Sequence, residues 1–165
     1  NGFLKKDISL NDIYKVKEDA HARFSATSRT YEYRVSRTKN PFSVNAYFLS
    51  RELDFQSMKK ACKFLHGNHD YTSFAKLHSE NHTNNCEVYV ADCKEDKNFL
   101  VFTIKANRFL RNMVRAIVGT MVNIGLEKVS LQEFITIIEG KDRNKAGFSV
   151  PAHGLYLTKL EYLFL

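Results

Sequence analysis

Cys86 to Ala106 reads CEVYVADCKEDKNFLVFTIKA. Two β-rich runs, Cys86 to Glu95 and Phe99 to Ala106, are separated by the short polar stretch Asp96, Lys97 and Asn98, and that arrangement predicts a hairpin. Upstream, Arg29 to Arg37 (RTYEYRVSR) alternates. Tyr31, Tyr33 and Val35 fall on one face and Thr30, Glu32, Arg34 and Ser36 on the other, the pattern of a half-buried strand. Between these strands, Asp54 is placed to cap a helix whose apolar residues Phe55, Met58, Ala61, Cys62 and Leu65 keep a helical period up to Gly67. Downstream, Phe109, Met113, Ala116, Ile117, Met121 and Ile124 form an apolar stripe, and the other faces are apolar as well, so a mostly buried helix from about Phe109 to Ile124 is expected. Ser130 caps a shorter helix through Glu139 that ends at Gly140, and Leu155 to Leu163 reads as a final alternating strand. The irregular order of strands and helices predicts an α+β domain, a mixed or antiparallel sheet with helices packed on one face.

The chain has 165 residues, 44% of them apolar, which suits one domain spanning residues 1–165. Its longest apolar stretch, Met113 to Gly125, is too short to span a bilayer and is interrupted by Arg115, so no membrane partner is expected. Nothing in it resembles a secretory signal. Cys62, Cys86 and Cys93 are odd in number and lack C-x-x-C spacing, which favours a reducing, cytoplasmic setting and three small core residues over a disulfide framework. The opening stretch, NGFLKKDISLNDIYKVKEDAHARF, has neither a cap nor a clean period and reads as the middle of a longer polypeptide.

The net charge of +7 is concentrated in two places. Ala20 to Phe48 carries five Arg or Lys against one acid, Lys105 to Gly125 carries four against none, and the remainder nets −1. Such segments suit a cleft for a polyanion, because each neutralised phosphate releases counterions. On a helical wheel Arg108, Arg111 and Arg115 fall within about 60° of one another, with Gly119 extending the same edge. Arg115 lies between Val114 and Ala116 in a run that wants burial, so its guanidinium needs an anion, and no acid occurs between Lys105 and Gly125. At the level of the residues alone, snorkelling or a distant structural Glu serves as well as a functional partner. Tyr31, alone, is a packing residue of a strand. Its neighbours Arg23, Phe24, Arg29 and Arg34 interleave cations with aromatics in a manner suited to phosphates and stacked bases.

Other chemistries find little footing. His66 and His69 flank a helix stop, and His78 and His82 lie in a polar stretch, so a zinc site would have to gather ligands from separate segments without a cysteine pair. No metal is expected. There is no P-loop, no G-x-G-x-x-G and no mark of a Ser-His-Asp triad.

Three stretches, in order, resemble the TruA family of tRNA pseudouridine synthases: AHARFSATSRTYEYR (Ala20 to Arg34), KANRFLRNMVRAIVGT (Lys105 to Thr120) and PAHGLYLTKLEY (Pro151 to Tyr162). LKKDI (Leu4 to Ile8) is similar to the family's L-P-x-D-I with Lys5 in place of proline, and GNHDYTSF (Gly67 to Phe74) is similar to its G-x-H-D-F-x-S-F element. The resemblance covers essentially the whole chain and implies the carboxy-terminal half of a pseudouridine synthase fold. In such enzymes an aspartate of an R-T-D-A-G-V-H-like motif attacks the target uridine, the glycosidic bond breaks, and the uracil turns and rejoins through C5. That motif does not occur among these residues, so the resemblance implies a piece inactive on its own.

By position, Tyr31 matches the tyrosine that stacks on the flipped base and is a candidate to take the C5 proton. Arg115 matches the arginine that pairs with the aspartate, and Leu155 matches the apolar residue that lines the base pocket. Arg23, Phe24, Arg29, Asn107, Arg108, Phe109 and Arg111 lie in the matching stretches and are expected to bind substrate. The resemblance further implies tRNA as partner, modification in the anticodon arm, a homodimer in the full-length enzyme, and no metal or organic cofactor. The competing reading is a non-catalytic RNA-binding or dimerisation module. If the synthase reading holds, Arg115 should be free of any internal acid and share an open groove with Tyr31.

Overall fold

The computed structural model describes residues 1–77, 82–96 and 98–163. Residues 1–25 run without helix or strand. The elements then follow as β1 (Ala26–Ser36), β2 (Tyr47–Phe48), α1 (Phe55–Cys62), β3 (Gly67–Asp70), β4 (Asn85–Asp96), β5 (Phe99–Ala106), α2 (Met113–Gly125), α3 (Leu131–Glu139) and β6 (Leu155–Tyr162). The sheet order is β2-β1-β5-β4-β3, with β6 also on β1. All pairings are antiparallel except β1 with β2, so the sheet is mixed.

β1 is the hub. Tyr31 faces Ile104 of β5 on one side and Leu157 of β6 on the other. The hairpin β4-β5 supplies the regular part of the core, and on β5 Leu100, Phe102, Ile104 and Ala106 are all buried at every second position. On β4 the buried set is Cys86, Val88, Ala91 and Cys93, because a bulge between Val88 and Val90 shifts the parity of the strand by one residue. Lys97, in the turn of this hairpin, lies outside the described residues.

Helices α1, α2 and α3 contribute Met58, Ala61, Ile117, Met121, Phe134 and Ile137 to the same core, which places them on one face of the sheet. Asp54 caps α1 by accepting from the Ser57 N–H at 3.0 Å. Ser130 and Glu133 form a reciprocal capping box at the start of α3. The cysteines are buried and unpaired, and burial pushes the Cys86 thiol up to about 11 and the Cys62 thiol up to about 12. No helix among the described residues is long and apolar enough to cross a membrane.

Three local expectations are corrected. Helix α2 begins at Met113, not Phe109, because Asn112 sits in the left-handed region at φ 71° and interrupts the helical path. Phe109 to Asn112 instead make a turn that tucks Leu110 into the core, and so mimic a helical period. Arg108 and Arg111 are therefore not on the helix face that carries Arg115. Gly119, one turn beyond Arg115 on α2, is covered: a Cβ there would run into the Phe148 carbonyl, so the glycine exists for close backbone packing. Finally, β6 does not alternate in burial. Its central residues Leu157 to Leu160 are all exposed, since β6 pairs only with β1 among the described residues.

Candidate active site

A cleft of about 1560 Å³ opens where the amino-terminal end of β1, the turn before α2 and the start of β6 meet. Tyr31 is half-buried within it, and the Phe109 ring stands edge-on to the tyrosine at 5.1 Å between centroids. A register shift between Thr30 and Tyr31 in the pairing with β6 marks the place where the tyrosine meets the cleft. Leu155 lies opposite Tyr33 and forms part of the apolar wall. Together these provide flat and aliphatic surfaces in one recess.

Arg115 enters the same cleft from the first turn of α2. Its Nε donates to the Val150 carbonyl at 2.6 Å, and the Val150 N–H returns a bond to the Arg115 carbonyl at 3.2 Å. No acid pairs with this guanidinium among the described residues. Half-buried, oriented by backbone and without a counter-charge, Arg115 is prepared to receive an anion.

The residues expected to act on the base or bind substrate all line this one cleft, though they differ in what their side chains are doing. Arg34 is not among its lining and instead pairs with Glu32 at 3.3 Å and lies over the Tyr156 ring at 4.6 Å. Arg29 is a brace: its guanidinium donates to the carbonyls of Ala26 at 3.0 Å and Asn107 at 2.7 Å, and to that of Arg23. Asn107 continues the sheet edge, its side-chain oxygen accepting from the Glu87 N–H at 2.9 Å while its own N–H donates to the Glu87 carbonyl at 3.0 Å. Arg23 lies over the exposed Phe24 ring at 5.4 Å from its centroid. Arg108 and Arg111, in the turn before α2, form no ion pair among the described residues. Among the described residues the lining holds five Arg and Lys76 and not one Asp or Glu.

Sequence reasoning missed several members. Lys76 and His82 line the cleft, as do Leu157 and Leu160 of β6. Only the position of Lys76, two residues after the GNHDYTSF element, could have flagged it. Tyr33 was read as packing, but its hydroxyl donates to the Pro151 carbonyl at 2.6 Å, beside the Val150 carbonyl held by Arg115. Burial foremost, and then Tyr47, pushes the Tyr33 phenol above the usual tyrosine range, against a smaller opposing effect of Arg115.

Of the histidines, His66 Nε2 meets the Ala91 carbonyl at 3.3 Å and His69 Nε2 meets the His66 carbonyl at 2.8 Å. His78 lies outside the described residues. No group of three His, Cys, Asp or Glu that could hold a metal ion occurs among the described residues. With its own groups the cleft offers a planar ring and apolar surface, from Tyr31, Phe109 and Leu155, beside cations that suit anions.

Comparison with known proteins follows the same line. A profile of the tRNA pseudouridine synthase family matches residues 61–163. The chain is 49% identical to a tRNA pseudouridine synthase A of Parabacteroides distasonis over 163 residues, covering 98% of this chain and 65% of that protein. It is 48% identical to one of Bacteroides fragilis, again over 98% of this chain and 65% of the relative. A tRNA pseudouridine synthase A 2 of Bacillus cereus is 34% identical over 165 residues. The chain thus spans about two-thirds of the length of these relatives, 65% for the first two.

Proposed function

The chain belongs to the tRNA pseudouridine synthase family, and from that premise we propose that the protein carrying it isomerises uridines in the anticodon arm of tRNA. The targets are those at roughly positions 38 to 40 in tRNA numbering, reached by taking the base out of the stack. Tyr31 stacks on the flipped uracil and is the candidate to take the C5 proton, and Leu155 forms the opposing apolar wall. Arg115 pairs with the nucleophilic aspartate, keeping it ionised and oriented toward the sugar carbon it attacks. The cations of the cleft hold tRNA phosphates and position the arm without reading its sequence. The reaction needs no cofactor, and the enzyme works as a homodimer in the cytoplasm.

One observation carries this reading: Arg115 opens into the same cleft as Tyr31 and Leu155, and no carboxylate of the described residues lines that cleft. On this reading the attacking aspartate is brought to Arg115 from elsewhere in the enzyme, and the chain does not turn over alone. The test is to map pseudouridine in the anticodon arm after incubating tRNA with this chain, alone and together with a polypeptide bearing the R-T-D motif. Conversion only in the second case is expected. Robust turnover by the chain alone would overturn the placement of the nucleophile. Salt-dependent tRNA binding with no conversion in either case would instead establish the non-catalytic RNA-binding module.

A further inference from the structure

A second cavity, of about 600 Å³, adjoins the cleft. Lys76 and Asn112 line both, so the two share a wall. Its far side is the segment between α3 and β6, where Arg143, Gly147 and Phe148 face Leu77. This segment is held firmly. The Arg143 guanidinium donates to the Gly147 carbonyl and to the Ser149 hydroxyl, each at 3.1 Å, and Asn112 Nδ2 donates to the same hydroxyl at 2.6 Å. Beneath it the Phe148 carbonyl lies against Gly119 of α2, too close for any side chain between them.

On that fixed backbone the Phe148 side chain is left 48% exposed, and Leu77 55% exposed. A phenylalanine that could have been buried, or replaced by a polar residue, instead presents apolar surface beside two cations. Among the described residues no Asp or Glu lines the cavity and Arg143 forms no ion pair. An exposed aromatic platform beside fixed positive charge provides the ingredients of a site for a single unstacked nucleotide. The same pairing of cation and exposed aromatic recurs at Arg23 and Phe24 in the main cleft.

We propose that this cavity receives a nucleotide of the same RNA, next to the one held in the main cleft, with its base against Phe148 and its phosphate between Lys76 and Arg143. The proposal rests on the cleft being an RNA site. Lys76, on the shared wall, would touch the phosphate that links the two nucleotides, so the cavity would set the direction in which the strand leaves Tyr31.

The affinity of the full-length protein for its tRNA, measured over a range of salt, tests this. Phe148→Ala is expected to weaken binding about tenfold, as loss of one base stack does, with recovery in Phe148→Tyr. Lys76→Gln is expected to reduce the slope of log affinity against log salt by about one phosphate contact. An affinity of Phe148→Ala within twofold of wild type would overturn the proposal, as would a loss that Phe148→Tyr does not recover, which would trace to packing of the segment. If the wild-type protein itself fails to bind tRNA, the reading of the main cleft falls as well, and the two failures are told apart.

Discussion

Tyr33 and Arg115 hold consecutive carbonyls of one segment, the phenol donating to Pro151 O and Arg115 Nε to Val150 O, each at 2.6 Å. Strand β1 and helix α2 thereby fix the start of the path that leads to Leu155. The Tyr33 ring also lies under Gly154, where a Cβ would come within 2.9 Å of it, so the whole stretch from Val150 to Leu155 is set by these two side chains.

Removing the Tyr33 hydroxyl should therefore loosen the wall of the cleft. Tyr33→Phe is expected to cost about 1 kcal/mol in urea unfolding, the usual cost of one such hydrogen bond. The pH dependence has a definite sign. Because burial raises the folded-state phenol above its ordinary 10.0, the folded protein keeps the proton longer than the unfolded chain. The stabilisation is complete below that value and declines as pH rises beyond it. The alkaline decline of the urea midpoint should be shallower in Tyr33→Phe, though not absent, since burial shifts Tyr71 in the same direction.

If Arg115 orients the nucleophile, its planar fork matters as much as its charge. In the full-length protein Arg115→Ala should lower single-turnover pseudouridine formation by roughly a hundredfold or more, and Arg115→Lys should restore only a small part of that. A rate for Arg115→Lys within a few-fold of wild type would separate Arg115 from the chemistry.

Glu161 accepts from Ser28 and pairs with Lys105 at 2.6 Å and Lys159 at 2.7 Å, joining β1, β5 and β6 across the sheet. Lys105, Lys159 and Ser28, in that order, hold its carboxyl down to about 2 from an ordinary 4.5. A depressed folded value means stability that is present above 4.5 and lost as pH falls toward 2. Thermal midpoints measured through that window should fall more steeply for wild type than for Glu161→Gln. Parallel curves would show the network to be without consequence.

Gly119→Ala places a methyl group against the Phe148 carbonyl, and backbone must move to admit it. A loss of about 1–3 kcal/mol is expected, read as a lower melting temperature.

The sheet and its helices were legible because their signals are local: alternation in β1 and β5, an Asp cap at α1, a Ser130 box at α3. The start of α2 was not. Its apolar spacing runs unbroken back through Leu110 and Phe109, and only the left-handed Asn112 sets the helix start at Met113, a conformation that an asparagine in a sequence does not announce. The two-residue β2 carries too little pattern to read. For the cleft, a cation in an apolar run far from any acid was enough to single out Arg115. His82 is brought to the cleft, and the segment of Arg143 and Phe148 to the adjoining cavity, by tertiary folding and without a local mark, and Lys76 had only its place after GNHDYTSF to flag it.

β1 pairs with three strands, and its pairings with β5 and β6 flank Tyr31 on both sides. The tyrosine ring consequently stands on a backbone that can open only when the sheet itself comes apart, whereas the arginines at the rim belong to turns. Amide exchange around Tyr31 should thus track global unfolding, while that of the turn carrying Arg108 and Arg111 should be governed by smaller, faster openings. If Tyr31 is the platform for the base, it is the immobile partner in recognition, and adaptation to the shape of the RNA falls to the cationic border.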